Sequence, residues 1–325
     1  MKNRTDYQKL YDLIAEKDNF LLTSHFDPDG DSIGSLLGLN NYLKSIGKKT
    51  AIHNQGRLPA KYKFLDPDGI IHFQPEPLEF NPEVVFILDC PKTERIGFVN
   101  DYITDDMTIV NIDHHPGNKL FGDLNYVDET ACSVAEIIYG IFNAGGYAAT
   151  PEIAEKFYAA IASDTGRFKF SNTNEKCLKT ASELVAAGAN PRQISEKIFS
   201  SFSVGTIRLL GYMLENIELY NNGTICILKL TSDDLSRYNV QVEDTEGIID
   251  YSLVIAGVKV GILFKEYEHQ TVKVGLRSQN GIDISQYARK KGGGGHPNAA
   301  GLTIIKSLDS AITEVVAEIS EFLNG

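Results

Sequence analysis

The stretch from Ser24 to Ser35 reads Ser-His-Phe-Asp-Pro-Asp-Gly-Asp-Ser-Ile-Gly-Ser, and it places one histidine and three aspartates within seven residues. An apolar run at Asn19–Leu22 precedes it and predicts a short buried strand, and apolar residues at helical spacing predict a helix from about Ser32 to Gly47. The polar cluster therefore lies on a strand-to-helix turn, with Asp31 and Ser32 expected at the helix cap. In open parallel sheets ligands bind at such turns, so the stretch predicts a binding site.

Two simpler explanations of this stretch are a plain turn and a calcium loop. The tetrapeptide Asp-Pro-Asp-Gly recurs at residues 66–69 without a preceding histidine or a third aspartate, and that second copy is expected to be a plain turn. A calcium loop would need a glycine at position 32 and a glutamate at position 38, where the chain has Ser32 and Gly38. The calcium interpretation is therefore excluded.

Two further predicted strands end in the same kind of residue. The apolar run Val84–Leu88 is followed by Asp89, and the β-rich run Met107–Ile112 is followed by Asp113-His114-His115. A helix predicted over Pro151–Ser163 leads into Asp164. Because the carboxyl ends of parallel strands meet at one edge of a sheet, these side chains are expected to form a single site.

Composition limits the class of protein. The chain has 325 residues, of which 42% are hydrophobic, so it can form two domains with buried cores. Its net charge of −12 argues against binding long or duplex nucleic acid by general electrostatics. The four cysteines form no Cys-x-x-Cys pair, which favours neither a zinc ribbon nor a disulfide framework and suits the cytoplasm.

The predicted elements indicate two domains. Residues 1–190 alternate strand and helix, beginning with an amphipathic helix over Met1–Lys17, and predict an α/β domain with a parallel sheet and helices on both faces. Residues 191–214 are predicted to be a helical linker. Residues 215–325 form a smaller α+β domain, with a hairpin at Asn221-Asn222-Gly223. No apolar run reaches the roughly 18 residues of a membrane span, so no membrane contact is expected.

The collected side chains suit hard or borderline divalent cations, because carboxylates and imidazoles occur without thiolates. Mn²⁺ is therefore favoured over structural zinc, with Mg²⁺ as the alternative. The acids exceed what one ion needs, so two ions about 3.5–4 Å apart are expected, an arrangement that serves in-line displacement at phosphorus. The predicted site residues are His25, Asp29, Asp31, Asp89, Asp113, His114, His115 and Asp164.

These motifs resemble the DHH phosphoesterase superfamily. The order His25-x-x-x-Asp29-x-Asp31, Asp89, Asp113-His114-His115 and Asp164-Thr165-Gly166 is that of its first domain. The runs Gly275-Leu276-Arg277-Ser278, Gly292–His296 and Ala299-Ala300-Gly301 are similar to its DHH-associated domain. Within the superfamily, the compact two-domain form looks most like the group of bifunctional oligoribonucleases (nanoRNases) and 3′-phosphoadenosine 5′-phosphate phosphatases.

The resemblance implies a role for each site residue. His25 and Asp29 would hold one ion, Asp31, His114 and Asp164 the other, and Asp89 would bridge them. Asp113 would orient His114, and His115 would contact the phosphate and assist proton transfer. In the second domain the implied substrate-binding residues are Arg277, Ser278, Gly293, Gly294, Gly295 and His296, which suits the affinity of glycine N–H groups and arginine for phosphate.

The implied function is metal-dependent hydrolysis of short oligoribonucleotides to mononucleotides, and of 3′-phosphoadenosine 5′-phosphate to AMP, by in-line attack of a metal-bound hydroxide. The alternatives are a phosphodiesterase for cyclic di-AMP or linear dinucleotides, a single-strand exonuclease, and a nucleotide sensor without activity. Inorganic pyrophosphatase activity is less expected. The partners implied are short RNA and small nucleotides, and a homodimer is left open.

Overall fold

The computed structural model describes residues 7–268, 270–279 and 281–324. It contains two compact units, the first ending at Ser201 and the second beginning at Phe202. Of the helix predicted over residues 1–17, the described part is helical at Gln8–Glu16, and positions 1–6 of that prediction lie outside the described residues.

The first unit is built on a six-stranded parallel sheet in the order β3-β2-β1-β4-β5-β6. Its strands are β1 (Asn19–Ser24), β2 (Lys49–His53), β3 (Ile71–His72), β4 (Val84–Leu88), β5 (Thr108–Asp113) and β6 (Leu124–Val127). Its helices are α1 (Gln8–Glu16), α2 (Gly30–Ser45), α3 (Val134–Ala144), α4 (Pro151–Asp164), α5 (Glu175–Ala186) and α6 (Pro191–Phe199). The predicted parallel α/β fold is confirmed.

Helices cover the two faces of this sheet unequally. Alternate residues such as Phe20 and Phe86 point to a large core that includes side chains from all six α-helices. The residues on the opposite face, Leu21, Val85 and Ile87, contact a smaller core that includes Ile96 and Val99. Val99 lies in the short 3-10 helix Gly97–Tyr102, and Ile96 lies between that helix and the 3-10 helix Thr93–Arg95. The loop after β4 therefore folds over this face and stays close to the carboxyl edge of the sheet.

The start of α2 differs from its prediction. The helix begins at Gly30 rather than near Ser32, and its N-cap is Asp29, whose Oδ1 accepts hydrogen bonds from the backbone N–H groups of Asp31 (3.0 Å) and Ser32 (3.1 Å). The predicted cap at Asp31 and Ser32 was thus wrong by two residues. A carboxylate at this position satisfies amides that the first helical turn leaves unpaired, and it also fixes the orientation of Asp29.

The second unit contains a six-stranded mixed sheet in the order β11-β12-β10-β9-β8-β7, in which only the β8–β9 pair is parallel among the described residues. Its strands are β7 (Glu218–Tyr220), β8 (Ile225–Leu230), β9 (Val260–Glu268), β10 (Thr271–Ser278), β11 (Gly294–His296) and β12 (Ala299–Ile305). Its helices are α7 (Val204–Glu215), α8 (Ser232–Tyr238), α9 (Ser285–Lys290) and α10 (Leu308–Asn324). The predicted hairpin is confirmed, because Asn221, Asn222 and Gly223 all have positive φ between β7 and β8.

The segment predicted as a helical linker, residues 191–214, contains two helices that belong to different cores. Ile194 and Ile198 of α6 are buried in the large core of the first unit. Leu209 and Met213 of α7 are buried in a core of the second unit, together with Leu228 and Leu263.

Candidate metal centre

Strand register brings three of the predicted motifs to the same level. Ser24 of β1 pairs with Leu88 of β4, which in turn pairs with Ile112 of β5. The next residues along these three adjacent strands are His25, Asp89 and Asp113. Three parallel strands that end together therefore present their polar side chains at one edge of the sheet, as the sequence predicted.

Two helices complete the cluster. The N-terminus of α2 supplies Asp29 and Asp31, and the C-terminus of α4 supplies Asp164. These helices approach closely because α2 has glycine at every fourth position facing α4. A Cβ atom at Gly34 would lie 2.5 Å from the carbonyl oxygen of Lys156, and one at Gly38 would lie 2.2 Å from the ring of Phe157.

The first group of side chains contains His25, Asp29 and Asp89. His25 Nε2 lies 3.4 Å from Asp89 Oδ2 and 4.0 Å from Asp29 Oδ2. The other ring nitrogen, Nδ1, lies 2.8 Å from the carbonyl oxygen of Phe26. A hydrogen bond to that carbonyl places the proton on Nδ1, which leaves Nε2 able to bind a cation.

The second group contains Asp31, His114 and Asp164. His114 Nε2 lies 3.7 Å from Asp31 Oδ2, 3.7 Å from Asp164 Oδ2 and 3.6 Å from Asp89 Oδ1. Its Nδ1 lies 3.1 Å from the carbonyl oxygen of Ala131, so the same tautomer is favoured as in the first group. Asp31 is held by the N-terminus of α3, since the N–H of Val134 donates to its Oδ2 at 2.7 Å.

Asp89 faces both groups with different oxygen atoms. Its Oδ2 faces His25 and accepts a hydrogen bond from Ser32 Oγ at 2.8 Å, whereas its Oδ1 faces His114. Asp89 has a left-handed φ of 54°, which bends the chain directly after β4. Within the described residues its buried Oδ1 accepts no hydrogen bond, and a buried carboxylate oxygen left this way is costly unless a cation binds it.

The predicted contact between Asp113 and His114 was wrong. Asp113 Oδ1 lies 2.8 Å from Nδ1 of His115, while the ring of His114 is oriented by the carbonyl of Ala131. Asp113 is itself fixed by Asn118, whose Nδ2 donates to Oδ2 at 2.6 Å. Asp113 therefore orients the second histidine of the motif rather than the first.

The crowded carboxylates have unequal proton affinities. Burial raises the pKa of Asp164 to about 7, with the charges of Asp29 and Asp89 acting in the same direction. Burial also raises the pKa of Asp31, and the charge of Asp89 adds to it. For Asp89 the effect of burial is outweighed by His25, His115 and His114, which lower its pKa well below the usual range. Of Asp31, Asp89 and Asp164, Asp89 is therefore the one whose pKa is lowered rather than raised.

The two histidines that face the carboxylates, His25 and His114, have raised pKa values. Burial lowers the pKa of His25, but Asp89 and Asp29 outweigh it and leave the pKa raised. Burial also opposes the charged form of His114, yet Asp164, Asp31 and Asp89 raise its pKa to about 9. In the absence of metal, protons on His25 and His114 neutralise the neighbouring carboxylates. Divalent cations would neutralise the same carboxylates, so protons and cations compete for this site.

The donor set fits a pair of divalent cations. Two groups of one histidine and carboxylates, with Asp89 between them, offer nitrogen and oxygen ligands and no sulfur, which suits Mn²⁺ or Mg²⁺ better than a structural zinc site. Asp27, which the spacing left outside the ligand set, has a left-handed φ of 52° and donates its N–H to the carbonyl of Gln55. It belongs to neither group.

Several supporting residues were not found from the sequence. Ser32 donates to Asp89, and Ser35 donates to Asp31 at 3.1 Å. Asn54 accepts the N–H of Ser24 at 2.7 Å and donates to the carbonyl of His25 at 3.0 Å. Asn172 donates to the carbonyl of Asp164 at 3.1 Å. Ser32 and Ser35 lie within the stretch from Ser24 to Ser35, which was a usable signal, but Asn54 directly follows β2 and carried none.

In the second unit, three neighbouring strands bring together most of the predicted substrate-binding residues. Arg277 of β10 pairs with Ala299 of β12, which pairs with His296 of β11. Arg277 Nε lies 3.2 Å from Asp250 Oδ1. The hydroxyl of Ser278 is buried and donates to the carbonyl of Ile282 at 2.6 Å, so its visible contacts are structural.

The glycine run has different requirements at each position. A Cβ atom at Gly293 would lie 2.2 Å from the carbonyl oxygen of Gly301, and Gly295 has a φ of 131° that other residues rarely adopt. Around Gly294, in contrast, a Cβ atom would have no described neighbour within 4 Å. Backbone packing thus requires Gly293 and Gly295, whereas a Cβ atom at Gly292 or Gly294 would have no described neighbour within 4 Å.

Comparison with known proteins identifies the family. The family model "DHH family, N-terminal domain" matches residues 19–162, and the "DHHA1 domain" matches residues 222–325. A protein from Thermus thermophilus named bifunctional oligoribonuclease and PAP phosphatase NrnA is 30% identical over 96% of this chain and 92% of its own length. The chain belongs to the DHH family. Its first unit is the DHH domain, and its second contains the DHHA1 domain.

Two further proteins are similar to this chain. A protein of the same name from Bacillus subtilis is 30% identical over 90% of this chain and 91% of its own length. The crystal structure of an exopolyphosphatase-related protein from Bacteroides fragilis has the same fold, with a TM-score of 0.89, 24% identity, and coverage of 99% and 98% of the two chains. In the described part of this DHH protein, no helix is long and apolar enough to cross a membrane.

Proposed function

We propose that this DHH protein is a two-metal phosphoesterase that hydrolyses short oligoribonucleotides to mononucleotides and 3′-phosphoadenosine 5′-phosphate to AMP. The observation that carries the proposal is the position of Asp89, whose two carboxylate oxygens face two separate groups of candidate ligands. A bridging carboxylate between two cations is the arrangement that in-line displacement at phosphorus uses.

The proposed ligand assignment follows the two groups. His25 and Asp29 hold one ion, Asp31, His114 and Asp164 hold the other, and Asp89 bridges them. Mn²⁺ is the ion we favour and Mg²⁺ is the alternative, because all the ligands are carboxylates or imidazoles. Bound here, the ions would polarise the phosphate and lower the pKa of a water molecule.

His115 is the proposed proton carrier. Asp113 Oδ1, at 2.8 Å, holds the proton on Nδ1 of this ring, so that Nε2 is the atom that exchanges a proton with the reacting phosphate. A carboxylate behind an imidazole fixes the tautomer and stabilises the charged form of the ring. Water then attacks phosphorus in line with the leaving oxygen, and His115 assists the departure of that oxygen.

The DHHA1 domain is proposed to bind the terminal nucleotide of the substrate. Arg277 and His296 lie in one row across three strands, and Gly294 lies on an open surface beside them. An arginine fork and exposed backbone N–H groups suit a phosphate. Gly293 and Gly295 support this surface through the backbone, and Ser278 supports it through the hydrogen bond that its hydroxyl donates to the carbonyl of Ile282.

The substrates are inferred from the relatives. Two relatives at 30% identity over at least 90% of this chain are named for oligoribonuclease and PAP phosphatase activity, and this chain has a complete set of the predicted metal ligands. We extend both activities to this protein. Its short RNA and nucleotide partners suit an acidic protein that holds anions through local cations.

The cysteines bear on where the protein acts. All four cysteines are buried and unpaired, which suits a reducing compartment, so we propose that the protein acts in the cytoplasm. A homodimer is the assembly to test, by sedimentation of the purified protein.

The test of the proposed function is hydrolysis of a substrate panel in Mn²⁺. The panel contains 3′-phosphoadenosine 5′-phosphate, RNA of two to five nucleotides, a long single strand, cyclic di-AMP and pyrophosphate. Cleavage confined to the first two supports the proposal. Preferential cleavage of cyclic di-AMP or of the long strand would replace the substrate assignment, and no cleavage of any compound would indicate a nucleotide sensor.

A further inference from the structure

Arg95 is held beside the first metal-ligand group by the loop that follows Asp89. It ends the short 3-10 helix Thr93–Arg95, and its carbonyl oxygen accepts a hydrogen bond from the N–H of Phe26 at 2.6 Å. Its guanidinium lies 5.7 Å from the centre of the Phe26 ring. Because Phe26 directly follows His25, these two contacts keep the guanidinium near the carboxyl edge of the sheet.

The charge of Arg95 is not neutralised by the acidic centre next to it. The side chain is half-buried, and among the described residues no salt bridge includes it, although the ion pairs of the centre involve Asp29, Asp31, Asp89 and Asp164. The charge of Arg95 also acts on His25, one of the candidate ligands of the first group. Partly burying an unpaired charge is costly, which points to a missing anionic partner.

Cations bound in this centre would favour such a partner. With an ion held by His25, Asp29 and Asp89, Arg95 would be a further positive charge beside it, and an anion between the two charges would be attracted by both. A phosphate satisfies both, because its oxygens can approach the ion on one side and accept hydrogen bonds from a planar guanidinium on the other.

We propose that Arg95 binds the substrate phosphate at the metal centre. This inference rests on the proposed function, and it adds a substrate-binding arginine from the DHH domain to Arg277 of the DHHA1 domain. The competing explanation is that Arg95 only packs on Phe26 and shapes the loop. That explanation predicts that an uncharged side chain of similar length at position 95 would leave phosphate binding unchanged.

The test measures binding of inorganic phosphate to the Mn²⁺-loaded protein by calorimetry. Arg95→Met keeps the length and the packing on Phe26 but removes the charge, and we expect it to weaken phosphate binding about tenfold, as loss of a charge-assisted hydrogen bond does. Arg95→Lys keeps the charge but lacks the planar guanidinium, so its affinity for phosphate should lie between that of the original protein and that of Arg95→Met. Arg192→Met, on the exposed surface of α6 where Arg192 pairs with Glu196, is the matched control and should bind phosphate normally.

The Mn²⁺ affinity of Arg95→Met distinguishes phosphate recognition by Arg95 from a purely structural role. Removing a positive charge beside a cation should leave Mn²⁺ binding by Arg95→Met unchanged or stronger, whereas a distorted loop would weaken it. Unchanged phosphate binding, or a parallel loss of phosphate and Mn²⁺ binding, would overturn the inference. Phosphate binding needs no turnover, so failure of the hydrolysis panel would remove the proposed function without deciding the role of Arg95.

Discussion

At the scale of single residues, the pattern of strand-end side chains was sufficient to predict which of them lie together, but not their internal contacts. His25, Asp89 and His114 were predicted because a strand precedes each of them or its motif, and strands of a parallel sheet end together. The partner of Asp113 could not be predicted, because it depends on side-chain rotation after β5. The ring of His115 turns back to Asp113, while His114 turns toward Ala131.

Asp89→Asn is the most direct change to one residue. Asparagine has the same shape and tolerates the left-handed φ of 54°, so the fold should persist, while the loss of charge weakens the bridge between the two groups. We expect turnover of 3′-phosphoadenosine 5′-phosphate to fall about 10³-fold, which corresponds to about 4 kcal/mol of transition-state stabilisation. Steady-state kinetics and circular dichroism measure the two effects.

Asp27→Asn is the matched control for this change. Asp27 has nearly the same φ, 52°, and the substitution removes the same charge outside the two ligand groups. Its turnover should stay within about twofold of the original protein, the size of effect expected when no transition-state interaction is removed. Near-normal turnover by Asp89→Asn would rule out the bridging role.

At the scale of elements, periodicity located most helices and strands but not how they pack. The helix after Ser24 was expected from its apolar spacing, yet its start was misplaced because either Asp29 or Asp31 is an acceptable cap by residue type. The unequal covering of the sheet, with side chains of all six α-helices in the core of one face and short 3-10 helices at the other, was also not predictable. Strands β1, β4 and β5 have apolar residues on both faces, so their sequences do not distinguish the two sides.

Because α2 and α4 are in close contact, alanine at Gly34 should lower stability, whereas alanine at a glycine outside this contact should not. Gly34→Ala places a Cβ atom 2.5 Å from the carbonyl oxygen of Lys156, and this overpacking should lower the free energy of unfolding by about 1–3 kcal/mol. It should also weaken Mn²⁺ binding, because α2 carries Asp31 and α4 carries Asp164. Thermal unfolding with and without Mn²⁺ measures both effects.

Gly140→Ala on α3 is the control, because a Cβ atom there would have no described neighbour within 4 Å. Alanine is favoured over glycine inside a helix, so this variant should be more stable by roughly 0.5–1 kcal/mol. Equal stability of the two variants would show that the two helices are not packed as closely as the structure has them.

At the scale of the whole molecule, two domains were predicted because the alternation of strand and helix in residues 1–190 gives way to β-rich segments from about residue 215. The predicted linker was harder to resolve, because α6 and α7 are both amphipathic and the sequence does not state which core each helix joins. Ile194 belongs to the first core and Leu209 to one in the second unit. Only the folded positions of their partners decide this.

Metal binding by the whole protein should depend on pH in a defined direction. A raised pKa means that the folded, metal-free protein holds its proton to higher pH, here to about 7 for Asp164 and about 9 for His114. A cation must displace these protons, so metal affinity rises with pH until each group is deprotonated. Asp89, with its lowered pKa, offers no competing proton. Each displaced proton should raise the apparent affinity about tenfold per pH unit.

Calorimetric titration of the metal-free protein with Mn²⁺, at pH 6 and at pH 8, tests the central claim most directly. The account predicts two ions per chain at pH 8, release of protons on binding, and weaker binding at pH 6. A single ion per chain, or affinity that does not change between the two pH values, would contradict a paired centre bridged by Asp89.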